Sequence, residues 1–260
     1  MGKPKSTSKT GGGVLALGRL PRVVGVLTSS IPEDFPPSGE EGPSDLVEIR
    51  LDQMPQQTGW LARGRSIEAR GLPVILTLRL VSEGGGWNGE DEERLGAFEQ
   101  ALQHLSAVDV EFRSPIASQV AIAAKRLGKI CILSYHDFER TPPLAELRSI
   151  ISEAQAVGSV VKISTMIKAK KDIETLQRLL TGSWKVPICI IGMGPLGTHT
   201  RVSFAALGSC LTYGYLDKPS APGQLPASKL VKQLRALVPK YNKDYLARQD
   251  VNARPSPANE

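Results

Sequence analysis

The stretch ICILSYHD (130–137), followed one segment later by SVVKIST (159–165), decides the fold of this chain. Both are short runs of apolar and β-branched residues, a composition typical of strands buried on both faces of a parallel sheet. The segment between them, 143–156, has the periodicity of an amphipathic helix. A strand, a helix and a second strand in this order predict a βαβ unit.

The same pattern recurs along the chain. Further strands are predicted at RVVGVLT (22–28), DLVEIRLD (45–52), PVILTLRL (73–80), VDVEFR (108–113), PICIIGMG (187–194) and CLTYGYL (210–216). Helical periodicity is found in the intervals 57–70, 91–105, 115–127, 169–181, 199–207 and 226–238. Eight strands that alternate with helices predict a single-domain α/β protein, a (β/α)8 TIM barrel.

An open, doubly wound sheet is the alternative architecture. Such a sheet usually has a phosphate-binding glycine loop after its first strand. No such loop follows residues 22–28, and the glycines of GMGPLG (192–197) come after the seventh predicted strand without the dinucleotide-binding spacing. The closed barrel is therefore favoured.

The charge of the chain is concentrated at its N-terminus. The 260 residues carry a net charge of +6, but residues 1–22 hold five of the 32 basic residues and none of the 26 acidic ones. The rest of the chain has a net charge of only +1, which argues against nucleic acid as a partner. We expect a flexible basic tail at 1–20, a catalytic barrel at 21–243 and a polar C-terminal tail at 244–260.

Composition also bears on location. No apolar run reaches the roughly 18–20 residues that cross a bilayer, and the N-terminus lacks the apolar core of a secretion signal. The three cysteines, Cys131, Cys189 and Cys210, lie within apolar runs, which is typical of reduced, buried thiols. We therefore expect a cytoplasmic protein with no membrane contact, no disulfide framework and no metal site.

Two residues at predicted strand ends carry the strongest chemical signal. Catalytic groups of a barrel lie at the C-terminal ends of its strands. Lys162 lies within an apolar, β-branched strand, where desolvation favours the neutral amine that attacks a carbonyl group. His136 follows another apolar strand and suits proton transfer near neutral pH. A lysine that extends to solvent and a structural histidine are the alternatives.

Other charged residues are predicted at the same end of the barrel. Glu48 and Arg50 share one strand face, either as binding groups or as a structural ion pair. Arg79, Glu83 and Arg201 also follow strands. This excess of positive charge predicts an anionic substrate, and a carboxylate held by an arginine fits it best. Asp109 and Glu111 are interpreted as a structural polar layer inside the barrel.

The loop DKPSAPGQLP (217–226) follows the last strand and holds Ser220 and Gln224 among prolines and small residues. Loops of this size at a barrel mouth often close over a ligand. We therefore predict a lid, with an ordinary connecting loop as the alternative.

Taken together, these motifs resemble those of one known family. They are VEIRLD (47–52), LTLRLVSEGG (76–85), DVEFR (109–113), LSYHDFERTP (133–142), VVKIST (160–165), GMGPLGTHTR (192–201) and SAPGQ (220–224). In this order and spacing, across residues 45–226, they resemble type I 3-dehydroquinate dehydratase, the lysine-imine enzyme of the shikimate pathway.

The resemblance implies a role for each residue. Lys162 would form an imine with the C3 ketone of 3-dehydroquinate, and His136 would remove a proton from C2 and protonate the departing C1 hydroxyl, giving syn elimination. Glu83 would orient His136, and Arg201 would hold the substrate carboxylate. The remaining substrate-binding residues would be Glu48, Arg50, Arg79, Met193, Tyr213, Ser220 and Gln224. The resemblance implies neither a metal nor an organic cofactor, and it implies a homodimer.

Three positions depart from the family pattern: His199, Thr200 and Ile191. None of them is a reacting group, so they bear on substrate affinity. Two other functions are considered: another lysine-imine barrel such as an aldolase, and a non-catalytic anion-binding barrel. The SAPGQ loop and the pairing of His136 with Glu83 favour the dehydratase.

Overall fold

The fold is a parallel barrel surrounded by helices. A computed structural model of the chain describes residues 17–18, 20–35, 42–55 and 58–252. Its strands are β1 (Arg22–Leu27), β2 (Leu46–Arg50), β3 (Val74–Thr77), β4 (Ala107–Glu111), β5 (Ile130–Asp137), β6 (Val160–Met166), β7 (Ile188–Met193) and β8 (Leu211–Tyr215). Its helices are α1 (Trp60–Ala69), α2 (Asp91–His104), α3 (Ala117–Arg126), α4 (Leu144–Ala154), α5 (Lys170–Leu180), α6 (Thr200–Ala206), α7 (Ala227–Leu237) and α8 (Pro239–Asn252).

The sheet closes on itself, which confirms the predicted barrel. The strand order is β7-β6-β5-β4-β3-β2-β1-β8, and every pair in this series is parallel. At the seam between β7 and β8, the amide of Cys210 donates to the carbonyl oxygen of Ile188 over 2.9 Å. The amide of Ile190 donates to Ser209 Oγ, also over 2.9 Å. An open doubly wound sheet would have no such seam.

The alternation of side chains along the strands separates two apolar cores. Residues such as Val47, Ile49 and Leu76 face outwards and pack under the helices. Residues such as Leu46 and Ile132 face inwards and fill the lower part of the barrel. The inward positions nearer the C-terminal strand ends are polar, which places charged groups at the mouth.

Strand β6 illustrates this change from apolar to polar inward-facing residues toward the mouth of the barrel. Its inward positions are Val160, Lys162 and Ser164, so the apolar floor, the amine and a hydroxyl follow one another two residues apart. Strand β5 repeats the order with Ile132, Ser134 and His136. The site therefore rests on rigid strands above a packed floor.

Helix α8 differs from the sequence prediction. A polar tail was expected from residue 244, whereas α8 continues to Asn252. Tyr245 is buried, and the buried Tyr241 donates its hydroxyl hydrogen to Asp45 Oδ2 over 2.9 Å. Arg248 NH2 lies 2.7 Å from Asp45 Oδ1. These contacts attach the helix to the end of the barrel opposite the mouth, where residue 45 precedes β2.

The rest of the two predicted tails, residues 1–16, 19 and 253–260, lies outside the described residues. Among the helices that are described, none is long and apolar enough to cross a membrane.

Candidate active site

A cavity that is partly open to solvent lies at the C-terminal ends of the strands. The structure brings all the predicted site residues to its walls: Glu48, Arg50, Arg79, Glu83, His136, Lys162, Met193, Arg201, Tyr213, Ser220 and Gln224. The lining is completed by Ile191 and by five residues that carry no site signal in the sequence: Val26, Gly84, Phe138, Ser164 and Ala221. This convergence is what the barrel topology requires, since catalytic groups come from the ends of different strands.

Lys162 is buried at the floor of the cavity. Its Nζ atom lies 2.8 Å from Oδ2 of the fully buried Asp109 and 4.3 Å from the centre of the Tyr213 ring. The lysine therefore does not extend to solvent, which removes the alternative considered from the sequence. A carboxylate and an aromatic face are both favourable neighbours for an ammonium group.

His136 and Glu83 form a hydrogen-bonded pair. The Nδ1 atom of His136 lies 2.9 Å from Glu83 Oε2, and the same oxygen accepts the backbone amide hydrogen of His136 over 3.1 Å. Burial, together with the positive charges of Arg79 and Lys162, lowers the pKa of His136 well below its ordinary value. The imidazole is thus neutral at pH 7. With Nδ1 engaged by Glu83, Nε2 has no hydrogen-bond partner among the described residues and is available as a base.

Burial raises the pKa of Glu83 to about 7, although Arg79 opposes this shift. Glu83 therefore changes its charge near neutral pH. Its ionised form can only accept a hydrogen from Nδ1 of the imidazole, whereas its neutral form can also donate its own hydrogen to Nδ1.

Arg201 is a buried cation without an acidic partner. It is 3% exposed, and no carboxylate in the described part of the chain pairs with it. Its donors are directed at backbone carbonyl oxygens: Nε to Gly223 at 3.0 Å, NH1 to Tyr213 at 3.0 Å and NH2 to Pro222 at 3.4 Å. Burial lowers the pKa of Arg201 to about 10, so it remains charged at neutral pH. An uncompensated buried cation in a cavity is suited to an anionic ligand.

The loop 217–226 is attached to this arginine. Two of the three carbonyl groups that Arg201 contacts belong to the loop, and the amide of Gly194 donates to the carbonyl oxygen of Pro222 over 3.2 Å. Gly223 has a φ of +74°, and a Cβ atom there would lie 2.5 Å from the carbonyl oxygen of Gly194. The glycine therefore permits both the turn and the close approach to β7. Within the loop, Gln224 Oε1 accepts from the amide of Ser220 over 2.6 Å.

Comparison with known proteins identifies the family of this chain. A family model described as type I 3-dehydroquinase matches residues 37–240. The chain belongs to the type I 3-dehydroquinase family.

Relatives and solved structures agree with this type I 3-dehydroquinase assignment. The chain is 35% identical over 194 residues to the 3-dehydroquinate dehydratase of Methanocella arvoryzae, covering 75% of this chain and 88% of the relative. It is 32% identical over 232 residues to that of Methanococcoides burtonii, covering 86% and 98%. The crystal structure of the 3-dehydroquinate dehydratase from Aquifex aeolicus superposes with a TM-score of 0.73 at 28% identity, covering 83% of this chain and 98% of that one.

Arg50 and Arg79 of this type I 3-dehydroquinase form specific ion pairs and hydrogen bonds that the sequence does not indicate. Arg50 donates from Nε and NH2 to the two oxygens of Asp52 at 3.0 and 2.8 Å, so its ion-pair partner is Asp52 and not Glu48. Glu48 instead accepts from Thr77 Oγ1 over 2.7 Å. Arg79, which is 3% exposed, donates to Asp109 and Ser134.

Asp109 is one of the two residues, with Glu111, that are interpreted from the sequence as a structural layer without a site role. The structure gives it a direct contact with Lys162. The available signal was the alternation in β4, which places Asp109 inside the barrel. Nothing in the sequence indicated which cation it meets.

Of the three positions expected from the sequence to depart from the family pattern, two, His199 and Thr200, directly precede Arg201. Thr200 is buried and donates its hydroxyl hydrogen to the carbonyl oxygen of Gly197 over 2.6 Å. His199 is the residue that precedes α6. Ile191 lines the cavity. Thr200 thus stabilises the turn that leads into α6 and supports the position of Arg201.

Proposed function

We propose that this protein is a 3-dehydroquinate dehydratase that converts 3-dehydroquinate to 3-dehydroshikimate, in the shikimate pathway, through an imine to Lys162. One observation carries the proposal: a buried amine, a neutral imidazole paired with a carboxyl group, and an arginine without an acidic partner line one cavity. Relatives that bear the name 3-dehydroquinate dehydratase support it, and they favour the dehydratase over an aldolase.

The first step joins Lys162 to the substrate ketone. Lys162 attacks C3 as the free amine after it gives up its ammonium proton, and that proton returns as the carbonyl oxygen leaves as water, so that ammonium and ketone together give an iminium ion and one water molecule. The product is an iminium ion, which withdraws electrons from the adjacent carbon and makes the C2 proton more acidic. This covalent activation divides a difficult elimination into easier steps.

His136 then performs the proton transfers. Nε2 takes the C2 proton, the electron pair moves toward the iminium nitrogen, and the resulting enamine expels the C1 hydroxyl, which His136 protonates. Because one group removes the proton and returns it to the leaving oxygen, both events take place on one face of the ring, which gives syn elimination. Hydrolysis of the product iminium releases 3-dehydroshikimate and regenerates Lys162.

Arg201 is assigned to the substrate carboxylate, since its guanidinium combines charge with a planar set of donors. Glu48, Arg50 and Arg79 are assigned to the substrate hydroxyls and to the polar floor around them. Met193 and Tyr213 would pack against the ring, and Ser220 and Gln224 would contact it from the lid.

Reductive trapping tests the proposed function. The protein is mixed with 3-dehydroquinate, reduced with borohydride and digested, and the modified peptide is identified by mass. We expect an adduct on Lys162 and formation of the conjugated enone product, followed by its ultraviolet absorbance. A folded protein that gives neither the adduct nor the enone would refute the proposal.

Replacing Arg201 by methionine should lower kcat/KM mainly by raising KM. Loss of hydrogen bonds to a charged ligand group costs about 1.5–3 kcal/mol, equivalent to a decrease of about 10- to 150-fold. The measurement is steady-state kinetics with the substrate and with its carboxamide analogue, which the variant should no longer discriminate. Arg148→Met, which removes an exposed arginine from α4, is the control. Retained preference for the carboxylate would argue against the assignment.

The pKa of Glu83, raised by burial to about 7, predicts the pH dependence of catalysis. Above pH 7 the carboxylate is ionised and accepts the hydrogen of Nδ1, which leaves Nε2 of His136 as the base. Below pH 7 this arrangement is lost, so kcat/KM should rise with pH through about 7. Glu83→Gln should remove this limb and lower kcat by about 10- to 100-fold, because the orienting charge is gone.

The control for this measurement is Glu139→Gln, an exposed carboxylate close to His136 in sequence. It should keep the wild-type pH profile. A Glu83→Gln enzyme with an unchanged acid limb would show that a different group titrates.

We also infer that the protein acts in the cytoplasm as a homodimer. The cysteines Cys131, Cys189 and Cys210 are buried free thiols, and burial raises the pKa of Cys131 and Cys189 to about 12, as suits a reducing compartment. The homodimer rests on the family resemblance. Because the iminium nitrogen serves as the electron sink, the proposed reaction needs no metal or organic cofactor. The proposed barrel limits of 21–243 would divide α8 (Pro239–Asn252), so we propose that the unit extends to the end of this helix.

A further inference from the structure

Asp109 and Lys162 form a buried ion pair at the reacting nitrogen. Asp109 lies on β4 and Lys162 on β6, so their side chains meet across the barrel interior. Oδ2 of Asp109 is 2.8 Å from Nζ of Lys162, and the side chain of Asp109 is completely shielded from solvent. The contact is thus made by the same atom that is to attack the substrate.

The second oxygen of this carboxylate is also fully engaged. Oδ1 accepts from Arg79 NH2 and from Ser134 Oγ, each over 2.6 Å. Burial alone would favour the neutral acid, but Arg79 and Lys162 hold the pKa of Asp109 well below its usual range. Asp109 is therefore an anion at neutral pH.

A chain of charges fixes this anion in place. Arg79 NH1 is 3.1 Å from Glu111 Oε1, and Glu111 Oε2 is 3.0 Å from NH1 of the fully buried Arg94. The charges along the chain from Lys162 through Asp109, Arg79 and Glu111 to Arg94 alternate in sign. Asp109 is therefore held between two cations, Arg79 and Lys162, and Arg79 still compensates its charge if the ammonium of Lys162 is removed.

The stoichiometry of imine formation gives this anion a specific role. An ammonium group and a ketone combine to give an iminium ion and one water molecule, with no net release of a proton. The nitrogen therefore carries one positive charge both before and after condensation. A fixed anion beside it compensates the charge in both states and opposes conversion to a neutral imine, which is a poor electron sink.

We propose that Asp109 is a catalytic counterion: its carboxylate holds the nitrogen of Lys162 in the charged form, as ammonium in the free enzyme and as protonated iminium in the intermediate. This inference rests on the proposed function. It deepens that function by adding a residue that contacts the reacting atom and was assigned only a structural role from the sequence.

The proposal predicts two changes in Asp109→Asn, a variant of nearly identical shape. Without the anion, the neutral amine is present at lower pH, so the half-maximal point of adduct trapping with cyanoborohydride should move down by about one to three pH units. Turnover should nevertheless fall by about 100-fold, because the iminium loses a preorganised charge partner. A residue with a merely structural role would lower trapping and turnover together and would leave the pH profile in place.

Glu111→Gln is the matched control, since it removes a second buried carboxylate from the same strand and the same arginine without touching Lys162. Its trapping profile should keep the wild-type midpoint. Asp109→Glu retains the charge, so it should also keep that midpoint and recover part of the turnover. If Asp109→Asn does not fold, Asp109→Glu tests the proposal instead. A displaced midpoint in the pH profile of adduct trapping by Asp109→Glu would overturn the proposal.

Different results would refute the proposed function and the proposed role of Asp109. If the wild-type protein gives no adduct on Lys162, the proposed function is wrong. If the wild type is trapped and Asp109→Asn has an unshifted profile, or full turnover, only the role of Asp109 is wrong.

Discussion

Lys162→Met should abolish both adduct formation and dehydration. The methionine side chain has a similar length but no nucleophile, so the imine cannot form and only the ketone, a weaker electron sink than the iminium ion, remains. Removal of a catalytic nucleophile lowers kcat by factors on the order of 10⁵–10⁶ in well-studied enzymes, and a loss of that size is expected here. The measurement combines the ultraviolet assay for the enone with intact-mass analysis after borohydride reduction.

The variant should remain folded, which makes the result interpretable. Asp109 keeps Arg79 and Ser134 as partners after the ammonium is removed, so its charge is not left alone in the interior. Lys170→Met is the matched control, because Lys170 is an exposed lysine at the start of α5. The control should turn over at the wild-type rate. Dehydration by a folded Lys162→Met protein would exclude the imine mechanism.

The positions of the strands and of most site residues follow from local sequence rules. Parallel strands covered by helices need apolar residues on both faces, so runs such as SVVKIST stand out against the amphipathic segments around them. Alternation then assigns Lys162 to the inner face, and the barrel topology assigns strand ends to one cavity. The pocket therefore could be assembled without coordinates, and the structure places all of its predicted residues together.

The partners within the pocket could not be predicted in the same way. Asp109 and Lys162 are separated by 53 positions and by one intervening strand. Their meeting depends on the stagger of the barrel and on side-chain rotamers, and neither leaves a local signal. The contacts of Arg201 with carbonyl oxygens of the 217–226 loop are equally hidden, because backbone acceptors are present at every residue.

Helix α8 was missed for a different reason. Its sequence is polar and has low mean hydrophobic character, so only Tyr241 and Tyr245, four positions apart, mark a buried face. An aromatic pair at this spacing is consistent with one side of a helix. The ion pair of Arg248 with Asp45 also attaches the helix to the barrel, and hydrophobic periodicity does not reveal such a pair.

His136→Ala should separate imine formation from dehydration. Lys162 keeps its amine and its counterion in this variant, so the adduct should still form with 3-dehydroquinate and be trapped by borohydride. Removal of the C2 proton should slow by up to about 10⁴-fold, which is the upper range for loss of a general acid–base group. The variant should thus accumulate the substrate-derived adduct, which differs in mass from the product-derived adduct by one water molecule.

Two further measurements make this prediction decisive. His104→Ala, which removes an exposed histidine from α2, should retain wild-type turnover and serves as the control. Free imidazole, which fits the space vacated by the side chain, should restore part of the activity of His136→Ala as its concentration is raised. Undiminished turnover would show that His136 is not needed for the reaction. Loss of the adduct would show that His136 is needed for imine formation. A trapped but unconverted substrate would assign Lys162 to activation and His136 to proton transfer.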